Sequence, residues 1–320
     1  MNNLDERIAG LPLEKRKLFE KLRQAQSAQS AGMDPPVPKP FGAASGAATK
    51  SSVLKTQMGP LTDVKASYRL FYDSVSQQLD STVFGQFSFF LNYGYRANHN
   101  PTHAVIEVPK HYINENSVRL VLELIGDCSI TDRRVLDVGC GRGGTVHVIK
   151  TMFDAKAITG LDLSPQAIAF CRQAHAGPTV QFFEGDAENL PFEDRSFDVV
   201  TNVESSHSYP DIMAFYTGVF RVLAPGGSFL YTDVQPVQQL AINLARMQRL
   251  GFLLERDTDI TSNVLLSCDE VARTRVRAFS ADNDPALMQN FLATPESEVY
   301  DEMKSGRWQY RIFRLQKPSA

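Results

Sequence analysis

The sequence predicts an α/β fold: a doubly wound sheet with helices on both faces and a helical cap on its N-terminal side. Three observations predict it. From Val135 onward, apolar runs rich in β-branched residues alternate with helical patterns, the signature of a parallel sheet. The first of these runs, Val135 to Val138, enters a turn holding Gly139, Gly141, Gly143 and Gly144, and a helical pattern follows from Thr145 to Ile149. A block of aromatic residues precedes this first strand and has no place inside such a sheet.

At 320 residues the chain suits one large domain with an appendage. Residues 4–26 are charged and helix-forming, with Leu13, Leu18, Phe19 and Leu22 on an apolar face too narrow for a core element. Residues 27–52 then turn to Ala, Gly, Ser, Pro and Lys, the composition of a flexible linker. The expected division is a helix plus flexible linker over 1–56, a helical cap or lid over 57–126, and a catalytic domain over 127–320. The first segment reads either as a docking helix on a tether or as a tail left from a larger protein. In the cap, Tyr68 to Tyr72 and residues 76–90 carry aromatics at helix-like intervals, ending in FSFFLNYGY over 87–95. An amphipathic helix follows over 114–125, with Val118, Val121, Leu122 and Ile125 on one face.

Past the glycine turn, strands are expected over 157–163, 179–184, 197–203, 227–233, 252–257 and 310–315, which makes seven with the first. Pro165 opens the helix after the second strand. A loop joins the third and fourth strands, and a helix over 212–223 and the turn Ala224-Pro-Gly-Gly227 precede the fifth. A helical insertion over 261–304 separates the last two.

Composition excludes several function classes. A net charge of −3 provides no field to gather nucleic acid or anionic lipid. Cys128, Cys140, Cys171 and Cys268 lack CxxC spacing, so neither a zinc site nor a disulfide framework is expected, and a reducing cytoplasm fits. No run approaches the roughly 18 apolar residues of a membrane span. A soluble, cytoplasmic protein is expected.

Gly139, Gly141 and Gly144 satisfy GxGxxG, a Rossmann-like signal for a ligand resting on backbone NH groups. Asp137, two residues before the first glycine, would repel a pyrophosphate and suits a ligand bearing an ammonium group, such as the methionine half of S-adenosyl-L-methionine. Otherwise it bonds its own turn NH groups. Asp162, about 20 residues after the turn at the end of the second strand, is placed to accept two ribose hydroxyls. Asp186 and the backbone NH of Ala187 offer an acceptor and donor pair that fits an adenine edge, unless Asp186 merely caps its turn.

The motifs DVGCGRGG, GLDLS, GDAENLPFEDRSFDVV, NVESSHSYP and RVLAPGGSF stand together in the order and spacing of the class I S-adenosylmethionine-dependent methyltransferases, which the chain resembles over roughly residues 68–315. GDAENLPF, NVESSHSYP and FLNYGY carry a narrower similarity to O-methyltransferases of polyketide and related lipid biosynthesis, including phthiotriolone-type enzymes. The resemblance implies a seven-stranded sheet whose last strand is antiparallel. It also implies cofactor contacts at Gly139, Cys140, Gly141, Asp162, Leu163, Asp186, Ala187 and Asn202. LPLEKRKLFEKL is similar to short helical linkers of polyketide and non-ribosomal peptide assembly lines, which implies an acyl or peptidyl carrier protein as a partner.

Methyl transfer to oxygen needs alignment and one base. His207 is the histidine of the loop after the fourth strand, and its unperturbed pKa of about 6.5 suits proton uptake at neutral pH. Glu204, three residues earlier, is expected to hold the ring, with Asp233 at the end of the fifth strand as the alternative orienter. His99, His103, His111, His147 and His175 show no metal-ligand pattern. The acceptor expected first is a hydroxyl of a polyketide or polyketide/peptide intermediate, free or carrier-bound. An enol or carboxylate oxygen as acceptor, carbon or nitrogen methylation, a nicotinamide-dependent dehydrogenase and a non-catalytic docking module are the alternatives. Asp137 and the adenine-edge motif argue against the dehydrogenase, and intact His207, Glu204 and the glycines argue against the module.

Overall fold

The computed structural model describes residues 61–81, 85–97, 108, 114–278 and 285–319. The expected helix and linker over 1–56 lie outside these residues. In chain order the described elements are α1 (Leu61–Ser81), a 3-10 turn (Gly85–Phe87), α2 (Glu115–Ile125), β1 (Arg134–Val138), α3 (Gly144–Met152), β2 (Ala157–Asp162), α4 (Pro165–Ala174), β3 (Val180–Glu184) and β4 (Phe197–Val203). There follow a 3-10 turn (Ser206–Ser208), α5 (Ile212–Val222), β5 (Leu223–Pro236), α6 (Val237–Arg249), β6 (Leu253–Asp259), α7 (Thr261–Ala278), α8 (Pro285–Phe291), α9 (Glu298–Lys304) and β7 (Trp308–Gln316).

The seven strands form one sheet in the order β3-β2-β1-β4-β5-β7-β6, with β7 antiparallel to both neighbours. Strand order reverses between β1 and β4, and such a switch point opens a crevice at the carboxyl ends of the strands. Side chains alternate between faces along each strand. Val135, Leu230 and Ile312 pack into one apolar cluster with α3, while Leu136, Phe229 and Phe313 pack into another with α5. Side-chain caps close the helix starts: Ser164 Oγ accepts Ala167 N at 3.0 Å with Pro165, expected from the sequence, in first position, and Asp211 Oδ1 accepts Ala214 N at 3.0 Å.

The structure departs from the sequence expectation at three places. Residues 88–97 are not helical; they form an irregular strap, in which Gly94 takes a left-handed φ of +79° and the Ser88 carbonyl is claimed by a distant side chain, Arg142. Residues 224–227 are not a turn before β5 but a bulge within it: β5 pairs with β4 at Phe197↔Leu223 and resumes at Val199↔Ser228. The helix expected in the cap over 114–125 forms as α2, yet Val118, Val121 and Ile125 share an apolar cluster with the sheet, and Arg256 and Arg314 bond its last carbonyls, Glu123 O at 2.8 Å and Ile125 O at 3.0 Å. By packing, α2 belongs to the sheet's helical layer, and α1 with the strap forms the cap.

Candidate active site

The parallel strands β1 to β5 deliver their carboxyl ends to one edge, and α1 and the strap close over it. The cleft beneath them, about 1260 Å³ including space open to solvent, is lined by Gly139, Cys140, Gly141, Asp162, Leu163, Asp186, Ala187, Glu204 and His207. Of the residues singled out in the sequence, Asp137, Asn202 and Asp233 stand behind this wall.

The glycine turn is built for close approach. Gly139 N and Cys140 N donate to Leu161 O at 2.8 and 3.0 Å, tying β1 to β2. Gly139 has φ +70°, and a Cβ there would fall 2.3 Å from Ser205 Oγ and 2.7 Å from Tyr209 OH, so glycine alone lets the turn meet the loop after β4. Asp137 does not bond its own turn. Its Oδ1 accepts Thr201 Oγ1 at 2.7 Å, while Oδ2 is buried without a hydrogen-bond partner. Burial, opposed by Thr201 and reinforced by Asp162, pushes the Asp137 carboxyl from 3.8 up to about 7. A buried carboxylate with one oxygen lacking a donor favours a ligand ammonium nearby.

Asp162 is held at both oxygens, with Gly141 N donating to Oδ2 at 2.7 Å and Ser164 N to Oδ1 at 2.9 Å. Burial raises its pKa above 3.8 against these bonds. Asp186 does cap its turn, Oδ1 accepting Glu188 N at 2.9 Å, and its Oδ2 takes Lys65 Nζ of α1 at 2.6 Å. Lys65 also pairs with Glu188 and lines the cavity, so the cap is fastened at the end where the adenine edge was expected. Asn202 Nδ2 donates to Val138 O at 2.9 Å and Ser205 Oγ at 2.7 Å, and its Oδ1 is buried without a partner.

The His207 ring is oriented by Asp233, not by Glu204: Nδ1 lies 2.8 Å from Asp233 Oδ1. Asp233 is buried, and Ser206 Oγ and His207 N fix its Oδ2 at 2.6 and 2.9 Å, with Val234 N on Oδ1 at 2.8 Å. With Asp233 accepting, Nδ1 carries the proton and Nε2 keeps its lone pair. Burial pulls the His207 pKa down, but Asp233, helped by Glu204, outweighs it and leaves the pKa above 6.5. Glu204 has a different task. Its backbone is left-handed at φ +48°, and its Oε1 accepts Tyr93 N of the strap at 2.7 Å and the Tyr310 hydroxyl of β7. The contacts of Lys65, Arg142, Tyr93 and Tyr310 carried no signal in the sequence, although Arg142 lies in DVGCGRGG and Tyr93 in FLNYGY, because each meets its partner more than 50 residues away.

A family profile described as a methyltransferase domain matches residues 135–227. The chain is 33% identical over 243 residues to a fatty-acid O-methyltransferase of Mycolicibacterium smegmatis, covering 72% of this chain and 84% of that protein. It is 34% identical over 273 residues to a phthiotriol/phenolphthiotriol dimycocerosates methyltransferase of Mycobacterium tuberculosis, covering 84% and 98%. Among solved structures, the [4+2]-cyclase SpnF superposes with a TM-score of 0.61 at 22% identity, over 82% of this chain and 98% of that one, a likeness of fold.

Proposed function

This chain belongs to the S-adenosylmethionine-dependent methyltransferases, and on that premise we propose that it methylates a hydroxyl of a lipid or polyketide-type acceptor with His207 as general base. The observation that carries the reading is the Asp233–His207 pair, set at the cavity wall with Nδ1 committed to Asp233 and the other ring nitrogen left for a substrate proton. The relatives' names, a fatty-acid and a phthiotriol dimycocerosates methyltransferase, support a lipid-like acceptor. Presentation of that acceptor on an acyl or peptidyl carrier protein belongs to the same proposal.

When bound, S-adenosylmethionine would supply an electrophilic methyl group to the acceptor oxygen, its S–C bond breaking so that S-adenosylhomocysteine leaves as a neutral thioether. In this reading Asp162 would take the ribose hydroxyls, Asp186 and the Ala187 NH the adenine edge, and the Gly139–Gly141 backbone the methionine portion, while Asp137, behind the cavity wall with its Oδ2 unpaired, would favour the ammonium by charge and not by contact. His207 Nε2 takes the hydroxyl proton as the new O–C bond forms, and the imidazolium so produced is balanced by Asp233. Asp233 holds the ring through rigid β5, so little reorganisation accompanies the transfer.

Incubation with methyl-labelled S-adenosylmethionine and a 3-hydroxy fatty acid, read by mass spectrometry, tests this. One label on the hydroxyl oxygen, as the methyl ether and not the methyl ester, is expected, and His207→Ala should lower turnover by about 10²- to 10⁴-fold with cofactor affinity kept. A label on carbon or nitrogen would sink the O-methyl reading, and near-normal turnover in His207→Ala would sink the base.

A further inference from the structure

Arg142 sits inside the glycine turn, and its side chain leaves the cavity wall for the cap. A guanidinium has five N–H donors in a fixed fork. All five are used here. Nε donates to Ser88 O at 2.8 Å, Nη1 to Ser76 O at 3.1 Å and Ser76 Oγ at 2.8 Å, and Nη2 to Gly85 O at 2.9 Å and Asp80 Oδ1 at 2.8 Å. The Phe170 ring of α4 lies under the guanidinium, 3.5 Å from its carbon to the ring centroid, and the residue is 1% exposed.

Every one of these acceptors belongs to α1 or to the chain leading into the strap; none belongs to the sheet. A buried guanidinium is costly unless its donors are all met, so this arrangement holds only while the cap is seated. The Arg142 backbone meanwhile lies in the turn that lines the cavity, and the strap residues Phe89 to Tyr93, which pack on that turn, line the same cavity. The far end of the strap is held separately, by Glu204 on Tyr93 N. One residue therefore ties the cofactor turn to both α1 and the start of the strap.

We propose that Arg142 is a positioning residue: it seats the strap on the glycine turn, so that the acceptor wall and the cofactor are held in one register. The proposal rests on the methyl-transfer reading above. Lysine is not a substitute, since a single ammonium cannot reach Ser88 O, Gly85 O and Ser76 together. Alignment is sensitive to this, because about 1 Å of misplacement can cost roughly 10²-fold in rate.

Hydrogen exchange on the full chain, with and without saturating S-adenosylhomocysteine, tests the seating; transfer to the 3-hydroxy fatty acid tests its effect. In Arg142→Lys, amides of residues 85–92 should exchange at least about tenfold faster, corresponding to about 1.4 kcal/mol less protection. S-adenosylhomocysteine affinity should stay close to wild type, while turnover at saturating cofactor falls on the order of 10²-fold. Should Arg142→Lys not fold, Asp80→Asn and Ser76→Ala each weaken or remove one bond from the cap side and should give the same changes in smaller degree. Unaltered strap exchange in all three variants overturns the proposal, as does a loss of affinity that accounts for the whole loss of rate. If the wild-type chain binds no S-adenosylhomocysteine, the methyl-transfer reading fails and the catalytic role with it, while exchange in the ligand-free variants still decides whether Arg142 seats the strap.

Discussion

A histidine that acts as base must be neutral, and the same Asp233 that orients His207 also strengthens its hold on a proton. Because the His207 pKa stands above 6.5 in the fold, turnover should fall as the pH drops through a midpoint above that value. Asp233→Asn should move the acid limb of the pH–rate profile downward while lowering turnover, since the ring loses its countercharge; an unmoved limb would assign it to another group. Asp137 shows the opposite conflict, between stability and binding. Its folded pKa of about 7 exceeds the free value of 3.8, so the stabilisation is full below 3.8 and is lost as pH rises through about 7. Asp137→Asn should therefore raise the ligand-free Tm at pH 8, with the gain vanishing near pH 4, and should weaken S-adenosylhomocysteine binding. A lowered Tm at pH 8 would mean the carboxylate has a partner that stabilises it. The sequence placed Asp233 second to Glu204 because Glu204 is nearer along the chain. Pairing of β4 with β5, Val203↔Thr232, is what carries Asp233 to the histidine, and that proximity is not visible as spacing.

Among the elements, the strands were legible because burial on both faces demands continuous β-branched and aromatic runs, as in Val135 to Val138 and Phe197 to Val203. The strap was not. FSFFLNYGY carries helix-compatible aromatics, and its irregular course is held by Arg142 and Glu204, which lie beyond any local window. Its closeness to the turn is recorded at Gly144, the third glycine of the motif, where a Cβ would lie 2.5 Å from Phe90 Cδ1 and 2.9 Å from Phe89 O. Gly144→Ala should thus displace the strap, at a cost of about 1 to 3 kcal/mol and with a loss of turnover larger than that of cofactor affinity. Gly218, inside α5, provides the contrast: a Cβ there meets Leu190 at 3.4 Å, an ordinary contact. Gly218→Ala should be neutral or stabilise by up to about 1 kcal/mol through helix propensity. Equal effects of the two substitutions in thermal unfolding and in turnover would dismiss the packing argument.

At the scale of the whole molecule, the cap is not an independent body. It is fastened to the sheet edge at Lys65–Asp186, at Ser164 Oγ–Asp73 (2.5 Å) and through Arg142, along the length of α1. Cap and sheet should therefore unfold together, in one transition. A ligand at 100 times its Kd stabilises the fold by about 2.7 kcal/mol. With roughly 2 to 4 °C of Tm per kcal/mol for a domain of this order, S-adenosylhomocysteine should raise the single Tm by roughly 5 to 10 °C. Asp162→Ala, losing charged hydrogen bonds worth about 1.5 to 3 kcal/mol, should cut that shift to about half or less at the same ligand concentration. Deleting residues 1–52, whose sequence offers no core-sized apolar face, should leave both Tm and shift nearly unchanged. A truncated chain melting many degrees lower would place that segment against the body, and a first transition untouched by ligand would mean that α1 and the strap close without the help of the site beneath them.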